Sequence, residues 1–170
     1  GQQTVSRQAI DRGTGIEEVT MQDLFKRYAT ALDSTLINQA TTGLTNVAQN
    51  NAYTDATPTA AELWPKLLQA MSGAETAFLG LAVPDFAIMH PRRWYWLQSQ
   101  VGTTWPFMSQ PGIPTQAGGV NLAETYGKGA RGILPNGTVA IADANVGTTL
   151  GAGTEDEVYI ISSEIGRAHV

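Results

Sequence analysis

Cysteine is absent from this 170-residue chain, and charged residues are scarce. Without cysteine the chain can form no disulfide and no thiolate metal site. Asp, Glu, Lys and Arg make up only 15% of the residues, where soluble domains usually have about a quarter. Hydrophobic residues account for 42%, so much of the surface falls to Thr, Gln, Asn, Ser and Gly. Low surface charge is tolerable where other chains cover the surface, and the composition therefore favours assembly.

Basic runs and long apolar runs are also missing. The formal net charge is −5, and the longest Lys/Arg run is the pair Arg92-Arg93. A duplex-binding protein needs a basic stripe that displaces counterions from the phosphates, so this class is disfavoured. The most apolar stretch, residues 77–89, is interrupted by Pro84 and Asp85 and is too short to span a bilayer. No signal-peptide pattern opens the chain.

Periodicity predicts one long amphipathic helix over residues 16–38. Its apolar residues recur at steps of three and four and would form one stripe: Met21, Leu24, Phe25, Tyr28, Leu32, Leu36 and Ile37. Glu17 and Glu18 lie in the first turn, where carboxylates suit the positive end of the helix dipole. At ~1.5 Å per residue the helix would be roughly 33 Å long, which matches the breadth of a small domain. We expect such a helix to brace a molecule rather than to fill a core.

A second helix is predicted to begin near residue 60. Thr59 and Glu62 have the spacing of a capping box, in which the two residues satisfy each other's backbone N–H groups. Pro65 lies near the start and indicates that the regular helix begins a few residues late. Upstream, residues 4–8 favour a short strand, and residues 40–58 favour a loop with a short edge strand.

The remaining elements are short and alternate irregularly. We predict a buried strand at 86–89, a helix opened by His90 and Pro91 and ending before Gly102, and strands at 138–142 and 157–161. Residues 102–137 lack periodicity, which is typical of a functional excursion or a mobile segment. Helices and strands without regular βαβ alternation predict the α+β class.

Two glycine-rich or acidic patterns match known site motifs only superficially. Residues 127–132 satisfy G-x-G-x-x-G, but no convincing strand precedes them and no helix can follow, so a flexible loop is favoured over a dinucleotide site. Asn136-Gly137-Thr138 matches a glycosylation triplet, but Asn-Gly before a strand favours a turn. A calcium loop is conceivable from five residues, whose spacing instead favours a solvated acidic loop: Asp143, Asn145, Glu155, Asp156 and Glu157.

The remaining candidate residues also favour structural roles. His90, the only histidine before residue 165, is better explained as a helix cap than as part of a triad or zinc site. The basic–aromatic cluster at 92–96 could stack nucleobases, but Trp94 and Leu97 share a helix face, which favours packing first and an interface second. Glu17, Glu18 and Asp23 belong to a solvent face. The sequence thus predicts no catalytic, cofactor-binding or metal-binding residue.

Several blocks, taken in order, resemble the major capsid proteins of tailed bacteriophages with the HK97 fold, particularly the branch common in actinobacterial phages. The similarity covers most of residues 4–164, and its blocks are VSRQ at 5–8 with Asp11, residues 23–33, PTAAELWPKL at 58–67, MHPRRW at 89–94, ADANV at 142–146 and LGAGT at 150–154. No single block is specific, but their combined order is.

The resemblance implies a domain organisation. Residues 1–57 would form part of the peripheral (P) domain, with the helix at about 16–38 as its spine, and residues 58–164 would form most of the axial (A) domain. By comparison with the family we expect the natural protein to extend upstream, with an N-terminal arm and E-loop, and downstream, with a returning P-domain strand. The last six residues, 165–170, look like a translated sequencing adapter and are interpreted as a non-native tail, with a genuine polar tail as the alternative.

The resemblance also implies a function. The chain would be a structural subunit, not an enzyme, that self-assembles into the hexamers and pentamers of an icosahedral capsid around double-stranded DNA. Expected partners are further copies of the chain, with scaffold, protease, portal and decoration proteins, and packaged DNA without sequence-specific contact. It would reside in the virion, and in the bacterial cytoplasm during assembly, with no membrane contact and no cofactor. The alternatives are an encapsulin-type nanocompartment shell, an enzyme using His90 with a nearby carboxylate, and a nucleic-acid-binding module.

Overall fold

The computed structural model describes Thr4, residues 15–46, Asp55, and residues 57–100, 126–150 and 153–163. Within these residues lie the helices α1 (Ile16–Asn38), α2 (Ala60–Ala77) and α3 (Pro91–Ser99), a 3-10 helix (Leu44–Asn46), and the strands β1 (Phe86–Met89), β2 (Ala130–Ile133), β3 (Val139–Ala142) and β4 (Val158–Ile161). The predicted α+β class is confirmed. Residues 5–8 of the predicted strand, residues 47–54 and 56 of the predicted 40–58 loop, and residues 165–170 lie outside the described residues. The chain divides into two compact units, Gly1–Asn46 and Val47–Val170.

The described elements of the first unit are α1, the turn that follows it and the 3-10 helix Leu44–Asn46. The helix has the predicted bounds and carries an ion pair between Asp23 and Arg27 at 2.9 Å. Ile37 is the buried residue of α1, whereas the other members of the predicted stripe are not. Grouping Ile37 with that stripe was wrong, because it follows Leu36 by one residue and is turned from it by about 100°. Its burial coincides with the tight turn after the helix, where Gly43 N donates to Gln39 O at 2.8 Å.

The capping box predicted at the start of α2 is confirmed. Glu62 N donates to Thr59 Oγ1 at 3.3 Å, and Thr59 N donates back to Glu62 Oε2 at 3.2 Å. The expected late start at Pro65 is wrong, because the helix is regular from Ala60. Pro65 has no N–H to give to the carbonyl of Ala61, but both residues are exposed, so water can satisfy that carbonyl.

The four strands among the described residues of the second unit form a mixed sheet in the order β2-β3-β1-β4. The central pair, β1 and β3, is parallel, with Phe86 opposite Val139. The outer strands are antiparallel to their neighbours, and β4 places Ile161 opposite Phe86. The predicted strands at 86–89, 138–142 and 157–161 are therefore confirmed, with β3 and β4 each beginning one residue later than predicted.

Strand β2 corrects two expectations from the sequence. Residues 130–133 pair with β3 through a register shift between Ala130 and Gly132, so neither the structureless stretch at 102–137 nor the flexible loop at 127–132 is right over this part. Residues 101–125 lie outside the described residues. The strand escaped prediction because Ala-Arg-Gly-Ile has little β propensity and is stabilised by its partner strand. The predicted Asn136-Gly137 turn joins β2 to β3, with Gly137 at φ 93°.

The main core lies between the helices and one face of the sheet. Helix α2 packs against β4, and α3 packs against β3. The buried residues of this cluster are Ala60, Leu63, Trp64, Leu67, Met71, Ala87, Met89, Trp94, Leu97, Leu134 and Ala140. A second, smaller cluster includes Val139 and Phe86, and Tyr126 meets the Phe86 ring edge-on at 5.5 Å. Both faces of the sheet therefore have apolar cover.

Candidate functional site

Three features of the described residues bear on function. The first is the α1 stripe, which we define as the apolar residues left exposed on one side of the helix: Met21, Phe25, Tyr28, Leu32 and Leu36. The second is the arginine–aspartate cluster of Arg92, Arg93 and Asp156. The third is the 79–83 loop that follows α2.

The α1 stripe presents large apolar side chains to solvent along the whole helix. Phe25 is 65% exposed and Tyr28 66% exposed. The opposite side carries Thr30, whose hydroxyl donates to Lys26 O at 3.0 Å. Single exposed hydrophobic residues are ordinary, but a contiguous set on one helix face is typical of a packing or interaction surface. The α1 stripe is therefore a candidate packing or interaction surface.

The arginine–aspartate cluster ties the start of α3 to the segment before β4. The side chain of Asp156 is 0% exposed. Its Oδ1 accepts from Arg93 Nε at 3.0 Å and also from Arg93 Nη2. Its Oδ2 accepts from Arg92 Nε at 3.3 Å, and Arg92 Nη2 donates to Thr154 O at 3.1 Å. One buried carboxylate is thus shared by two guanidinium groups, which satisfies its charge and most of its lone pairs.

The arginine–aspartate cluster tests two predictions from the sequence. The solvated acidic loop is wrong for Asp156, because its carboxylate is buried between two cations. Packing, the favoured role for the basic–aromatic cluster, is confirmed: Trp94 is in the core, and the Arg93 guanidinium lies 5.0 Å from the Trp96 ring centroid. Both arginines are engaged within the chain. The cluster fastens a helix to a loop and leaves neither guanidinium unpaired for a nucleic acid.

His90 is the N-cap of α3, as predicted. Its Nδ1 accepts from Arg92 N at 3.1 Å, and Pro91 occupies the first helical position. Residues 127–132, considered for a dinucleotide site, include the first three residues of β2, and the turn around Gly137 follows, so no helix begins directly after those glycines. Glu17 and Glu18 are exposed on α1. In the described part of the second unit, His90 is a helix cap and residues 127–132 join a turn to β2, so both have local structural roles.

Tyr159 is a buried titratable group on β4. Burial of its ring raises the pKa of the Tyr159 hydroxyl, and the neighbouring Glu157 carboxylate raises it further by accepting a hydrogen bond at 2.6 Å and by charge repulsion. The neutral phenol is therefore the form that the folded protein accommodates.

Stability should consequently fall at alkaline pH. An unfolded tyrosine ionises near pH ~10, whereas folded Tyr159 resists ionisation, so its stabilising contribution is complete below that pH and is lost above it. We expect the free energy of unfolding of the natural protein to fall, relative to Tyr159→Phe, by up to about 1.4 kcal/mol for each pH unit above 10. Urea unfolding at several alkaline pH values measures this difference. A difference independent of pH would contradict the assignment.

The 79–83 loop begins where α2 ends in a Schellman motif. Gly80 N donates to Glu75 O and Leu79 N donates to Thr76 O, each at 3.0 Å. Leu79 occupies the position that glycine usually takes, with φ 54°. A left-handed conformation costs a residue with a Cβ roughly 1–2 kcal/mol. Even so, the side chains of Leu79 and Leu81 are 86% and 83% exposed, and that of Val83 is also exposed.

The sequence could not identify the arginine–aspartate cluster or the 79–83 loop as sites. Asp156 is more than 60 residues from its arginines, and no local pattern links them. Residues 77–89 are visible as the most apolar stretch of the chain, but a buried turn would give the same composition. Within the described residues no group of three or more His, Cys, Asp or Glu side chains could hold a metal ion. Over the same residues no helix is both long and apolar enough to cross a membrane.

The described residues of the second unit form a packed α+β fold fastened by the arginine–aspartate cluster, and those of the first unit include a helix with an exposed apolar side. Their distinctive surfaces are apolar and suited to contact with protein. Comparison with protein families, curated proteins and solved structures finds no match to this chain.

Proposed function

We propose that this chain is a structural shell subunit with the HK97 fold, a major capsid protein of a tailed bacteriophage. Copies would assemble into hexamers and pentamers that enclose double-stranded DNA, and the subunit would catalyse no reaction. The observation that carries the proposal is the ordered set of sequence blocks that resemble this family, from VSRQ at 5–8 to LGAGT at 150–154. In this proposal α1 is the spine of the P domain, and residues 58–164 form most of the A domain.

The exposed side of α1 supports the proposal. A spine helix must bury its apolar side against another element, and the α1 stripe is an apolar surface of the required length. The low charge of the chain fits a subunit whose surface is largely covered by neighbours. A net charge of −5 fits a shell that encloses DNA without strong electrostatic attraction to its phosphates.

Assembly of the natural protein is the direct test. The complete reading frame would be expressed with and without its scaffold, and the products would be imaged by electron microscopy. We expect closed icosahedral shells. Monomers alone under every assembly condition would contradict the proposal, and shells that load an enzyme cargo instead of DNA would identify an encapsulin-type nanocompartment. Neighbouring terminase, portal and protease genes would support the phage assignment.

A charge placed in the α1 stripe should block assembly. Phe25→Asp would put a carboxylate where the spine must be covered, and burying an unpaired charge is strongly unfavourable. We expect the yield of shells to fall by about tenfold or more. Thr30→Asp is the matched control, because it adds the same charge on the opposite, exposed side of the same helix. Equal shell yields from the two variants would show that the α1 stripe is not buried on assembly.

A further inference from the structure

We propose that Asn136 is a site of spontaneous deamidation, and that the folded turn between β2 and β3 suppresses the reaction until that turn opens. Asparagine followed by glycine is the pair most prone to deamidation, because glycine has no side chain to shield its backbone nitrogen. Asn136-Gly137 is the only such pair in the sequence. The proposal concerns chemistry within one chain, so it does not depend on the proposed shell function.

The reaction is an intramolecular displacement followed by hydrolysis. The Gly137 nitrogen loses its proton to hydroxide and attacks Asn136 Cγ. The bond from this nitrogen to Cγ forms, the Cγ–Nδ2 bond breaks, and ammonia leaves with a proton taken from water. Water then opens the cyclic succinimide at one of its two carbonyls, which gives either aspartate or isoaspartate at position 136. Nothing is oxidised or reduced, and water is the only co-reactant.

The backbone of the 134–138 turn opposes the first step. Gly137 N, the attacking atom, donates a hydrogen bond to Leu134 O at 2.9 Å. Leu134 N in turn donates to Thr138 O at 2.8 Å and closes the turn. A bonded amide must break its hydrogen bond before it can lose its proton, as in hydrogen exchange. The nucleophile is therefore masked while the turn is intact.

The side chain of Asn136 is restrained as well. Its Nδ2 donates to Met71 Sδ at 2.8 Å and to Thr138 Oγ1 at 2.8 Å, and its Oδ1 accepts from Thr138 N at 3.4 Å. Met71 and Thr138 are only 7% and 3% exposed, so the carboxamide is tied to groups that are themselves fixed by burial. Attack at Cγ requires the carboxamide to leave these partners. Two separate restraints thus oppose the same reaction.

Neither space nor water protects this turn. Asn136 and Gly137 are both exposed, so water and hydroxide reach them in the folded protein. No atom lies within 4 Å of the position that a Cβ on Gly137 would occupy, so the nitrogen is not shielded by packing. The hydrogen bonds are therefore what limits the reaction, and weakening them should raise its rate.

The products should hinder the turn from forming again. The carboxylate of aspartate has no hydrogen to donate to Met71 Sδ, which would then face a charge. In isoaspartate the main chain runs through the side-chain carbon, which lengthens the path between Leu134 O and Gly137 N by one atom and disturbs their hydrogen bond. Each opening of the turn that leads to reaction is consequently recorded by an irreversible change.

Peptide mass spectrometry tests the site and its protection. The protein is incubated at mildly alkaline pH in buffer and in urea, and trypsin, which cuts after Arg131, releases a peptide that carries both Asn136 and Asn145. In urea we expect Asn136 to convert faster than Asn145, because the branched side chain of Val146 shields the nitrogen after Asn145. In buffer, conversion of Asn136 should be slower than in urea by about tenfold or more. Equal rates at Asn136 in buffer and urea, or no preference for Asn136 in urea, would overturn the proposal.

Two methionine variants test the anchor on the carboxamide. Met71→Leu keeps the side-chain volume but removes the sulfur that holds Asn136 Nδ2, so deamidation in buffer should accelerate by about threefold or more, with an unchanged rate in urea. Met89→Leu is the matched control, because Met89 is a buried methionine of the same core cluster on β1. It should keep the natural rate in both conditions. Equal acceleration by the two variants would assign the effect to a loosened core and overturn the role of the anchor.

Asn136→Asp tests the effect of the product, since it carries the side chain that one route of hydrolysis leaves. We expect its midpoint of urea unfolding at neutral pH to lie below that of the natural protein, because the donor to Met71 Sδ is lost. A midpoint equal to or above the natural one would overturn the inference that deamidation hinders the turn from forming again.

Discussion

Replacing Asp156 by Ala should lower the free energy of unfolding by about 3 kcal/mol. The carboxylate is fully buried and neutralises Arg92 and Arg93 at once, so its removal leaves two guanidinium groups facing each other. Removing one partner of a buried ion pair is costly chiefly because the remaining charge is left without compensation. The expected loss lies at the low end of the range for such changes, because the Arg92 side chain is 48% exposed and can be rehydrated. Urea unfolding measures it.

The two arginines offer a matched comparison on adjacent positions of α3. The Arg93 side chain is 21% exposed and makes two hydrogen bonds to Asp156 as well as the Trp96 contact, so Arg93→Ala should cost more than Arg92→Ala. A double-mutant cycle between Asp156 and Arg93 should give a coupling energy of about 1–3 kcal/mol. High salt should change it little, since buried pairs are weakly screened. If Asp156→Ala lies within about 0.5 kcal/mol of the natural protein, the cluster does not fasten α3.

The elements that could be predicted from the sequence are those whose causes lie within a few residues. The capping box needs only Thr59 and Glu62, and the start of α3 needs only His90 and Pro91. Strand β1 is a run of four apolar residues bounded by turn signals, which makes it recognisable without its neighbours. Local causes of this kind also explain why the observed bounds of α1 agree with the bounds predicted from its apolar periodicity.

The features that could not be predicted depend on distant partners. Strand β2 forms because β3 supplies its hydrogen-bonding partners, whereas its own four residues have the composition of a loop. In the sequence Asp156 is indistinguishable from the acidic residues around it, because its arginine partners on α3 lie more than 60 residues away. The 79–83 loop shows the same limit from the other side. Its apolar composition is equally compatible with a buried turn, so the exposure of Leu79, Leu81 and Val83 becomes visible only in the folded chain.

Truncating Trp94 should produce the largest loss of stability among single changes in α3. Its side chain is 2% exposed and belongs to the main core cluster with Leu97 and Met89, so Trp94→Ala removes a large buried ring and leaves a cavity. Such truncations cost about 3–5 kcal/mol, and we expect about 4 kcal/mol here. A loss of this size approaches the total stability of many domains, so the variant is measured at low temperature, with Trp94→Phe as a milder change.

Tyr95 supplies the control for that prediction, because it is the next residue of the same helix and is 60% exposed. Tyr95→Ala makes a similar change in aromatic content and in helix propensity but opens no cavity, so its free energy of unfolding should stay within about 0.5 kcal/mol of the natural protein. The contrast between the two variants isolates burial from residue type. Equal losses at Trp94 and Tyr95 would mean that α3 is held by something other than the core face on which Trp94 and Leu97 lie.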